Sequence, residues 1–167
     1  MVIKQTTQIG SPVIRKKSRS VLRIHAKATK RIIRNLIDSM RHHGLVGMAA
    51  PQIGINRRIF VTEIRKTKTR KPDELDSVRV FINPKIVSRS RKQVGGYEGC
   101  GSVANAGLFG SVKRPYVVVV KALNEKGRKF KLRATDLLAR IIQHENDHLD
   151  VFLLAWHEYR TLTKRKK

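Results

Sequence analysis

Two histidines stand four residues apart in the sequence, with a glutamate directly after the first of them. His144, Glu145 and His148 fall in a stretch whose apolar residues recur at helical spacing, and residues four apart on a helix share one face. Two imidazoles on one face can bind the same metal ion, and a neighbouring glutamate can take a proton from water and return it to a leaving group. The pattern therefore indicates a hydrolytic metal centre, with a chance match on a polar helix face as the alternative.

A hydrolytic metal centre needs a third protein ligand and an open position for water. Cys100 is the only cysteine, so no internal disulfide can form and no disulfide partner is expected. A metzincin would have glycine and histidine where this chain has Val151 and Leu154, and a thermolysin-like site would use a glutamate farther downstream than Glu158. Cys100 is therefore the strongest candidate ligand, against the simpler alternative of a small buried residue.

Two amphipathic helices are predicted, over about residues 25–43, with Gly44 as the C-terminal cap, and over about 135–149. Strands are predicted at 58–64, at 78–83 ending before Pro84, at 116–122 and at 128–133, the last two joined by a tight turn. Residues 66–77 are charged and predict a loop, and the glycine-rich residues 95–110 predict a shaped loop or bulged strand.

This order of elements lacks regular alternation of strands and helices, which favours an α+β fold. The length suits one hydrophobic core, so residues 1–167 are predicted to form a single domain with a short basic tail at about 160–167. Antiparallel or mixed strands are expected to pack around a buried helix that carries the two histidines. Burial favours the metal-centre interpretation, because buried histidine and glutamate side chains are costly unless paired or bound to metal.

The chain is strongly basic, with a formal net charge of +25, and no acidic residue precedes Asp38. Such a balance favours polyanions, and we expect contact with the ribosome or its RNA through the basic surface, including Lys164 to Lys167. A solvated basic surface and a cleaved targeting segment are the alternatives. No apolar run is long enough for a membrane span, so no membrane partner is expected, and the cytoplasm of a bacterial-type cell is predicted rather than an organelle.

Three motifs in this chain together resemble the peptide deformylase family. They are GMAAPQ at 47–52, EGCGS at 98–102 and HENDH at 144–148, and the resemblance extends over about residues 3–156. It implies removal of the N-formyl group from formyl-methionine at the start of newly made polypeptides. The alternative is a catalytically weak relative that acts mainly as a ribosome- or RNA-binding factor.

The resemblance also implies roles for individual residues. Cys100, His144 and His148 would bind one divalent metal ion per chain, with Glu145 as the catalytic acid and base. The Gln52 amide and the backbone N–H of Gly101 would hold the oxyanion that develops on the formyl oxygen. The family resemblance implies Fe²⁺ as the physiological ion, although thiolate and imidazole ligands also suit Zn²⁺, Ni²⁺ and Co²⁺.

Further residues are candidates for binding the substrate or supporting the metal ligands. Gly47 would let the substrate backbone approach closely. Arg114 is expected to contact the peptide backbone or to act as a structural arginine, and Glu98 and Asp147 are expected to support the ligands. An apolar pocket for methionine is predicted, with candidate lining residues that could equally be ordinary core residues: Val46, Leu137 and Ile141.

Three positions depart from the family pattern. Leu45 stands where a glycine is usual, Gly101 stands where leucine is more frequent, and Val151 replaces a glycine after the third motif. We expect these differences to change the fit of the substrate and not the metal ligands.

Overall fold

The computed structural model describes residues 2–67, 71–103, 108–151 and 163–164. Helix α1 spans Lys27–His42 and is followed by strand β1 (Gly47–Ala49), a 3₁₀ turn (Ala50–Ile53) and strand β2 (Ile59–Ile64). Strands β3 (Asp76–Arg89), β4 (Gln93–Gly99), β5 (Leu108–Pro115), β6 (Val117–Leu123) and β7 (Lys129–Thr135) come next. Helix α2 spans Asp136–Asp150, and a short strand β8 covers Thr163–Lys164.

The strands form two antiparallel sheets. One sheet has the order β1-β2-β3-β6-β7, and the other has the order β4-β5-β8. Together with the two helices they form a single α+β domain, which confirms the predicted fold class. Of the predicted basic tail, Thr163 and Lys164 pair with β5, and the other residues of 160–167 lie outside the described part of the chain.

The five-stranded sheet is covered on both faces by the two helices only around β2, whereas β6, β7 and the second half of β3 keep one exposed face. On one side Leu36 and Met40 of α1 belong to an apolar cluster with Val61 of β2. On the other side Ile142 of α2 belongs to a cluster with Phe60 of β2 and neighbouring strands. Because both faces are covered, β2 is a nearly continuous apolar run instead of an alternating one.

The predicted helices and strands are present, but β1, β8 and residues 111–115 of β5 were not predicted, β3 begins within the predicted loop, and two further regions differ. The strand predicted to end before Pro84 continues to Arg89, because Asn83 adopts a left-handed conformation and a bulge lets the chain pass the proline within the strand. In the glycine-rich region, residues 95–99 and 108–110 belong to two regular paired strands, β4 and β5. Glycine weakens the strand signal in sequence, and pairing with a neighbouring strand overrides that weakness.

The end of α1 agrees with the predicted cap. Gly44 has φ +66°, and the N–H of Leu45 donates to the carbonyl of Met40 at 2.9 Å, which closes the helix. Val151 has φ +67° after α2, a left-handed conformation that is unfavourable for a β-branched residue. Among the described residues, no helix is long and apolar enough to cross a membrane.

Candidate metal centre

Three predicted ligands meet where α2 faces the end of β4. His144 and His148 lie one turn apart on α2, and Cys100 follows β4 directly. The ligand atoms of all three residues lie within 4.8 Å of one another, and Cys100 Sγ is 3.3 Å from His148 Nε2. Donors around one tetrahedral ion with typical bond lengths are separated by about 3.5 Å. The cluster therefore fits a single divalent ion, for which the thiolate and imidazole donors are suited.

The electrostatics of the cluster favour the thiolate form of Cys100. Burial raises the pKa of this thiol, but the charge of His148 and hydrogen bonds from both imidazoles outweigh burial and hold the pKa well below its ordinary value. For His144, burial lowers the pKa, whereas hydrogen bonds to Cys100 and Glu98 raise it to a net value above the ordinary one. Since the thiolate is the form that binds metal, Cys100 is prepared to act as a ligand.

Glu145 lies beside the cluster and is buried. Its Oε2 has no hydrogen-bond partner among the described residues. Burial raises the pKa of this carboxyl group to about 7, although the charges of His144 and His148 act in the opposite direction. A group with a pKa near neutrality can both accept and donate a proton under physiological conditions, as a general base and acid must.

Gly47 of β1 allows Glu145 to sit at this position. A Cβ atom at residue 47 would lie 2.8 Å from Cγ2 of Ile141 and 2.9 Å from Cδ of Glu145, distances that real structures do not tolerate. The first and third motifs are therefore in direct contact. Any side chain at position 47 would displace the carboxylate that is predicted to transfer protons.

Gln52 and Gly101 both lie next to Cys100. Gln52 is buried, its Oε1 accepts a hydrogen bond from the N–H of Ala49 at 2.8 Å, and its Nε2 lies 3.9 Å from Cys100 Sγ. The carbonyl of Gly101 accepts from Gln8 at 3.1 Å, while its N–H donates to no backbone carbonyl within the described residues. Gln52 therefore presents a hydrogen-bond donor to the cluster, and the N–H of Gly101 is the backbone donor that directly follows Cys100.

A buried ion network supports the ligands from behind. Glu98 Oε2 lies 2.9 Å from Nδ1 of His144, which confirms the expected contact between a carboxylate and the second ring nitrogen. Arg114 forms two hydrogen bonds with Glu98, at 2.8 and 2.9 Å, and a third with Asp147 at 2.6 Å.

The pKa values in this network follow from burial and pairing. Burial raises the pKa of Glu98, but hydrogen bonds from Arg114 and His144 outweigh burial and hold this pKa well below its ordinary value. Glu98 is therefore ionised. For Arg114, burial acts to lower the pKa, and its bonds to Glu98 and Asp147 raise it above the ordinary value. Burial leaves the pKa of Asp147 raised despite its contact with Arg114.

Of the residues predicted to bind substrate, Ile141 and Gly47 lie close to Glu145. Ile141 is buried next to Gly47, and Val46 and Leu137 are half-buried. Arg114 has a structural role through its bonds to Glu98 and Asp147. Contact of any of these residues with a substrate stays a prediction.

Sequence reasoning missed two residues near the ligands. Arg140 donates to Glu98 at 2.8 Å and lies against Gly96 of β4, and neither residue belongs to a motif. One signal could have identified Arg140. It stands four residues before His144 on a helix face that also carries the apolar Leu137 and Ile141, and a charged residue there requires a partner.

Two departures from the family pattern are neighbours in space. A Cβ atom at Gly101 would lie 3.2 Å from Cδ1 of Leu45 and 3.3 Å from Cγ2 of Thr6. The Leu45 side chain therefore occupies the space that a side chain at position 101 would enter. We therefore predict that Leu45 and Gly101 form a compensating pair beside the cysteine.

The comparisons with known proteins agree with the geometry. Residues 3–161 match the family model described as polypeptide deformylase. A peptide deformylase from Natranaerobius thermophilus is 39% identical over 150 residues, which cover 90% of this chain and 88% of the relative. A peptide deformylase from Desulforudis audaxviator is 37% identical over 169 residues, covering the whole of both chains.

Among solved structures, the class I type b peptide deformylase from Acinetobacter baumannii, bound to Met-Ala-Ser, superposes with a TM-score of 0.85. Its sequence is 28% identical, and the match covers 90% of this chain and 94% of that one. The family match spans all three motifs, and the residues of those motifs meet at one site in the fold. This chain therefore belongs to the peptide deformylase family.

Proposed function

We propose that this chain hydrolyses the formamide bond of N-formylmethionyl nascent polypeptides, with Cys100, His144 and His148 holding one divalent metal ion. The observation that carries this proposal is the meeting of Cys100 with both histidines beside the buried Glu145. A bound ion would supply Lewis-acid activation of water for attack on the formyl carbon. A catalytically weak protein that mainly binds the ribosome is less well supported, because Cys100, His144 and His148 lie together beside a buried glutamate.

Glu145 transfers the proton in this mechanism. Its carboxylate accepts a proton from the attacking water as the new C–O bond forms, and it donates that proton to the methionine nitrogen as the C–N bond breaks. Formate and a free amino terminus are the products. The environment of Glu145 supports both steps, since its pKa of about 7 makes gain and loss of a proton similarly favourable.

Gln52 Nε2 and the N–H of Gly101 stabilise the negative charge that develops on the formyl oxygen. Both donors lie next to Cys100, and the hydrogen bond from Ala49 to Gln52 Oε1 fixes which end of the amide faces the cluster. Removing one such donor from an oxyanion site typically slows turnover about 10²- to 10³-fold.

The methionine side chain is proposed to bind between Val46, Leu137 and Ile141, with Gly47 passing close to the substrate backbone. The structural relative from Acinetobacter baumannii was solved with Met-Ala-Ser, a peptide that starts with methionine. Arg114 contributes indirectly, by holding Glu98 and Asp147.

The decisive test uses protein purified without oxygen and loaded with one metal at a time. We expect release of formate from formyl-Met-Ala-Ser, and slower or no release of acetate from the same peptide with an acetyl group in place of the formyl group. Cys100→Ser should weaken metal binding, because a hydroxyl is a poor replacement for a thiolate. Unchanged metal affinity in this variant would remove Cys100 from the ligand set, and absence of formate release with every metal would contradict the proposed activity.

We propose Fe²⁺ as the physiological ion, with Zn²⁺, Ni²⁺ and Co²⁺ as replacements. Iron is redox-active and a bound thiolate can be oxidised, so the iron-loaded protein should lose activity in air faster than the nickel- or zinc-loaded protein. Equal lifetimes would contradict the assignment.

The proposed location is the bacterial cytoplasm, which fits the bacterial relatives and the single unpaired cysteine.

Contact with ribosomal RNA is proposed through the basic surface. Besides the acid-free segment up to Ile37, the outer face of the five-stranded sheet carries Lys85, Lys121 and Lys131 directly opposite one another on three adjacent strands. All three are exposed, and none forms an ion pair with another described residue. Like charges in opposite positions are destabilising, so a polyanionic partner would relieve this repulsion.

Co-sedimentation with ribosomes at several salt concentrations tests this contact. Replacing Lys85, Lys121 and Lys131 by glutamine should weaken binding and flatten the slope of log affinity against log salt by nearly one unit per lost phosphate contact. Replacement of Arg15, Lys16 and Lys17 tests the amino-terminal segment in the same way, and removal of Lys164 to Lys167 tests the tail. Turnover of short formyl peptides should not change in any of these variants. Absence of binding even at low salt would contradict the ribosome proposal without affecting the enzymatic one.

A further inference from the structure

We propose that Arg140 and Gly96 form a positioning pair that orients Glu98 and, through Glu98, the metal ligand His144. The inference rests on the metal site of the proposed function. Neither residue belongs to the three motifs, and neither touches a ligand atom of the cluster in the described contacts.

The guanidinium group of Arg140 is held by three acceptors on two strands. Nη1 donates to Glu98 Oε1 at 2.8 Å and to the carbonyl of Val112 at 3.0 Å, and Nη2 donates to the carbonyl of Val94 at 2.7 Å. Val94 and Glu98 belong to β4, whereas Val112 belongs to β5. Arg140 therefore links the helix that carries both histidines to the strand that ends at the cysteine.

The contacts divide the Glu98 carboxylate between two tasks. Oε1 accepts from Arg140 and from Nε of Arg114, whereas Oε2 accepts from Nη2 of Arg114 and lies 2.9 Å from His144 Nδ1. Arg114 binds both oxygens of the carboxylate, and Arg140 adds a second donor to Oε1, so that the two arginines together keep Oε2 directed toward the imidazole. His144 then presents its other ring nitrogen to the metal site, which is the usual effect of a carboxylate behind a ligating histidine.

Gly96 provides the space for this guanidinium group. A Cβ atom at residue 96 would lie 2.9 Å from both Cζ and Nη2 of Arg140. Gly96 is not among the residues with positive φ, so alanine there would be free of backbone strain and would act by displacing the arginine. The neighbouring Gly95 provides a matched control, because a Cβ atom there would have no heavy atom within 4 Å.

The test compares five variants with the wild-type chain: Arg140→Met, Arg140→Lys, Gly96→Ala, Gly95→Ala, and the double variant Gly96→Ala with Arg140→Met. Each metal-free protein is titrated with Co²⁺ against a competing chelator, and the visible spectrum of the cobalt form reports the ligand geometry. Thermal unfolding of the metal-free proteins is measured in parallel, because a purely structural link would change the unfolding temperature without changing metal affinity.

Arg140→Met should weaken Co²⁺ binding about 10- to 100-fold, the range typical of residues that hold a metal-binding histidine. Gly96→Ala should also weaken Co²⁺ binding, by up to about tenfold. Arg140→Lys should restore little, since an ammonium group cannot reproduce the planar fork that binds three acceptors. Gly95→Ala should match the wild type. The double variant should equal Arg140→Met alone, because Gly96 acts only through the arginine.

Two outcomes would overturn the proposal. In the first, Gly96→Ala and Arg140→Lys both have the Co²⁺ affinity and the spectrum of the wild type. These two variants remain informative if Arg140→Met does not fold. The other is a double variant whose loss equals the product of the single losses, which would mean that the two residues act independently. Because the titration measures metal affinity and not turnover, it distinguishes failure of this proposal from failure of the proposed deformylase activity.

Discussion

The two faces of α2 pack against the two sheets by different forces. Toward the five-stranded sheet, Ile142 and Leu149 lie in an apolar cluster. Toward β4 and β5, Arg140, His144 and Asp147 form hydrogen bonds and ion pairs. One helix therefore contacts the apolar core on one face and the buried ion network on the other.

The difference shows how stability and ligand positioning are separated in this fold. Apolar packing is non-directional and contributes free energy roughly in proportion to the buried area. Charged hydrogen bonds have fixed lengths and directions, so they determine where a ligand atom points. A buried ion network is weak evidence for stability, yet removing one partner is costly because it leaves an unpaired charge.

The largest effect is expected at the proton-transferring residue on the polar side of the helix. Glu145→Gln retains the ligands and removes proton transfer, so kcat should fall about 10²- to 10⁴-fold while metal content is unchanged. Steady-state kinetics and metal analysis check this prediction. Glu125→Gln, on an exposed turn, is the control. A rate near that of the wild type would contradict the proposed role of Glu145.

The ion network itself should be sensitive to the loss of one partner. Arg114→Met leaves the buried Glu98 and the half-buried Asp147 with fewer partners, and the free energy of unfolding should decrease by about 3–5 kcal/mol. Denaturant titration measures the change, with Arg133→Met on the exposed face of β7 as the control. A loss of under about 1 kcal/mol, typical of an exposed ion pair, would mean that the network is not effectively buried.

A substitution on the apolar face of α2 should lower the free energy of unfolding without changing the affinity for metal. Ile142→Ala creates a cavity in the core, and its cost should be about 2–5 kcal/mol. The affinity of the folded protein for Co²⁺ should stay at the wild-type value. A loss of affinity comparable to that expected for Arg140→Met would break the distinction between the two faces.

The compensating pair at the cysteine predicts a smaller, coupled effect. Gly101→Leu alone should crowd Leu45, and Leu45→Gly alone should leave a gap, so each should raise KM for formyl peptides. The double exchange should recover much of the loss, with a coupling free energy of about 0.5–3 kcal/mol. Strictly additive losses in a double-mutant cycle would show that the two side chains do not share one space.

The smallest effect is expected for an ion pair outside the network. Glu63 has a lowered pKa because of its hydrogen bond to Arg41, whose side chain is 50% exposed. The stabilisation by this pair is present above the unfolded-state pKa of glutamate and is lost as pH falls through the lowered folded-state value. Glu63→Gln should therefore cost under about 1 kcal/mol at pH 7, and the difference should vanish in acid. Urea titrations at several pH values check this, and a difference that grows in acid would contradict it.

The local features of the site could be predicted from the sequence alone. The four-residue spacing of His144 and His148 on a helix, the cap at Gly44 and the exclusion of an internal disulfide follow from backbone geometry and residue chemistry. The identity of the third ligand was narrowed to Cys100 by elimination, and the family resemblance supplied its role. Such inferences succeed because they depend on residues that are close together in the chain.

Contacts between distant parts of the chain were decided only by the tertiary structure. Cys100 and His148 are 48 residues apart, and Glu98 and His144 are 46 apart. The pairing of β4 with β5 aligns this glutamate with α2, and Gly96 admits Arg140 only because the two strands and the helix meet there. Their meeting depends on the sum of many weak packing and hydrogen-bond terms along the whole chain, and no local spacing in the sequence records that sum.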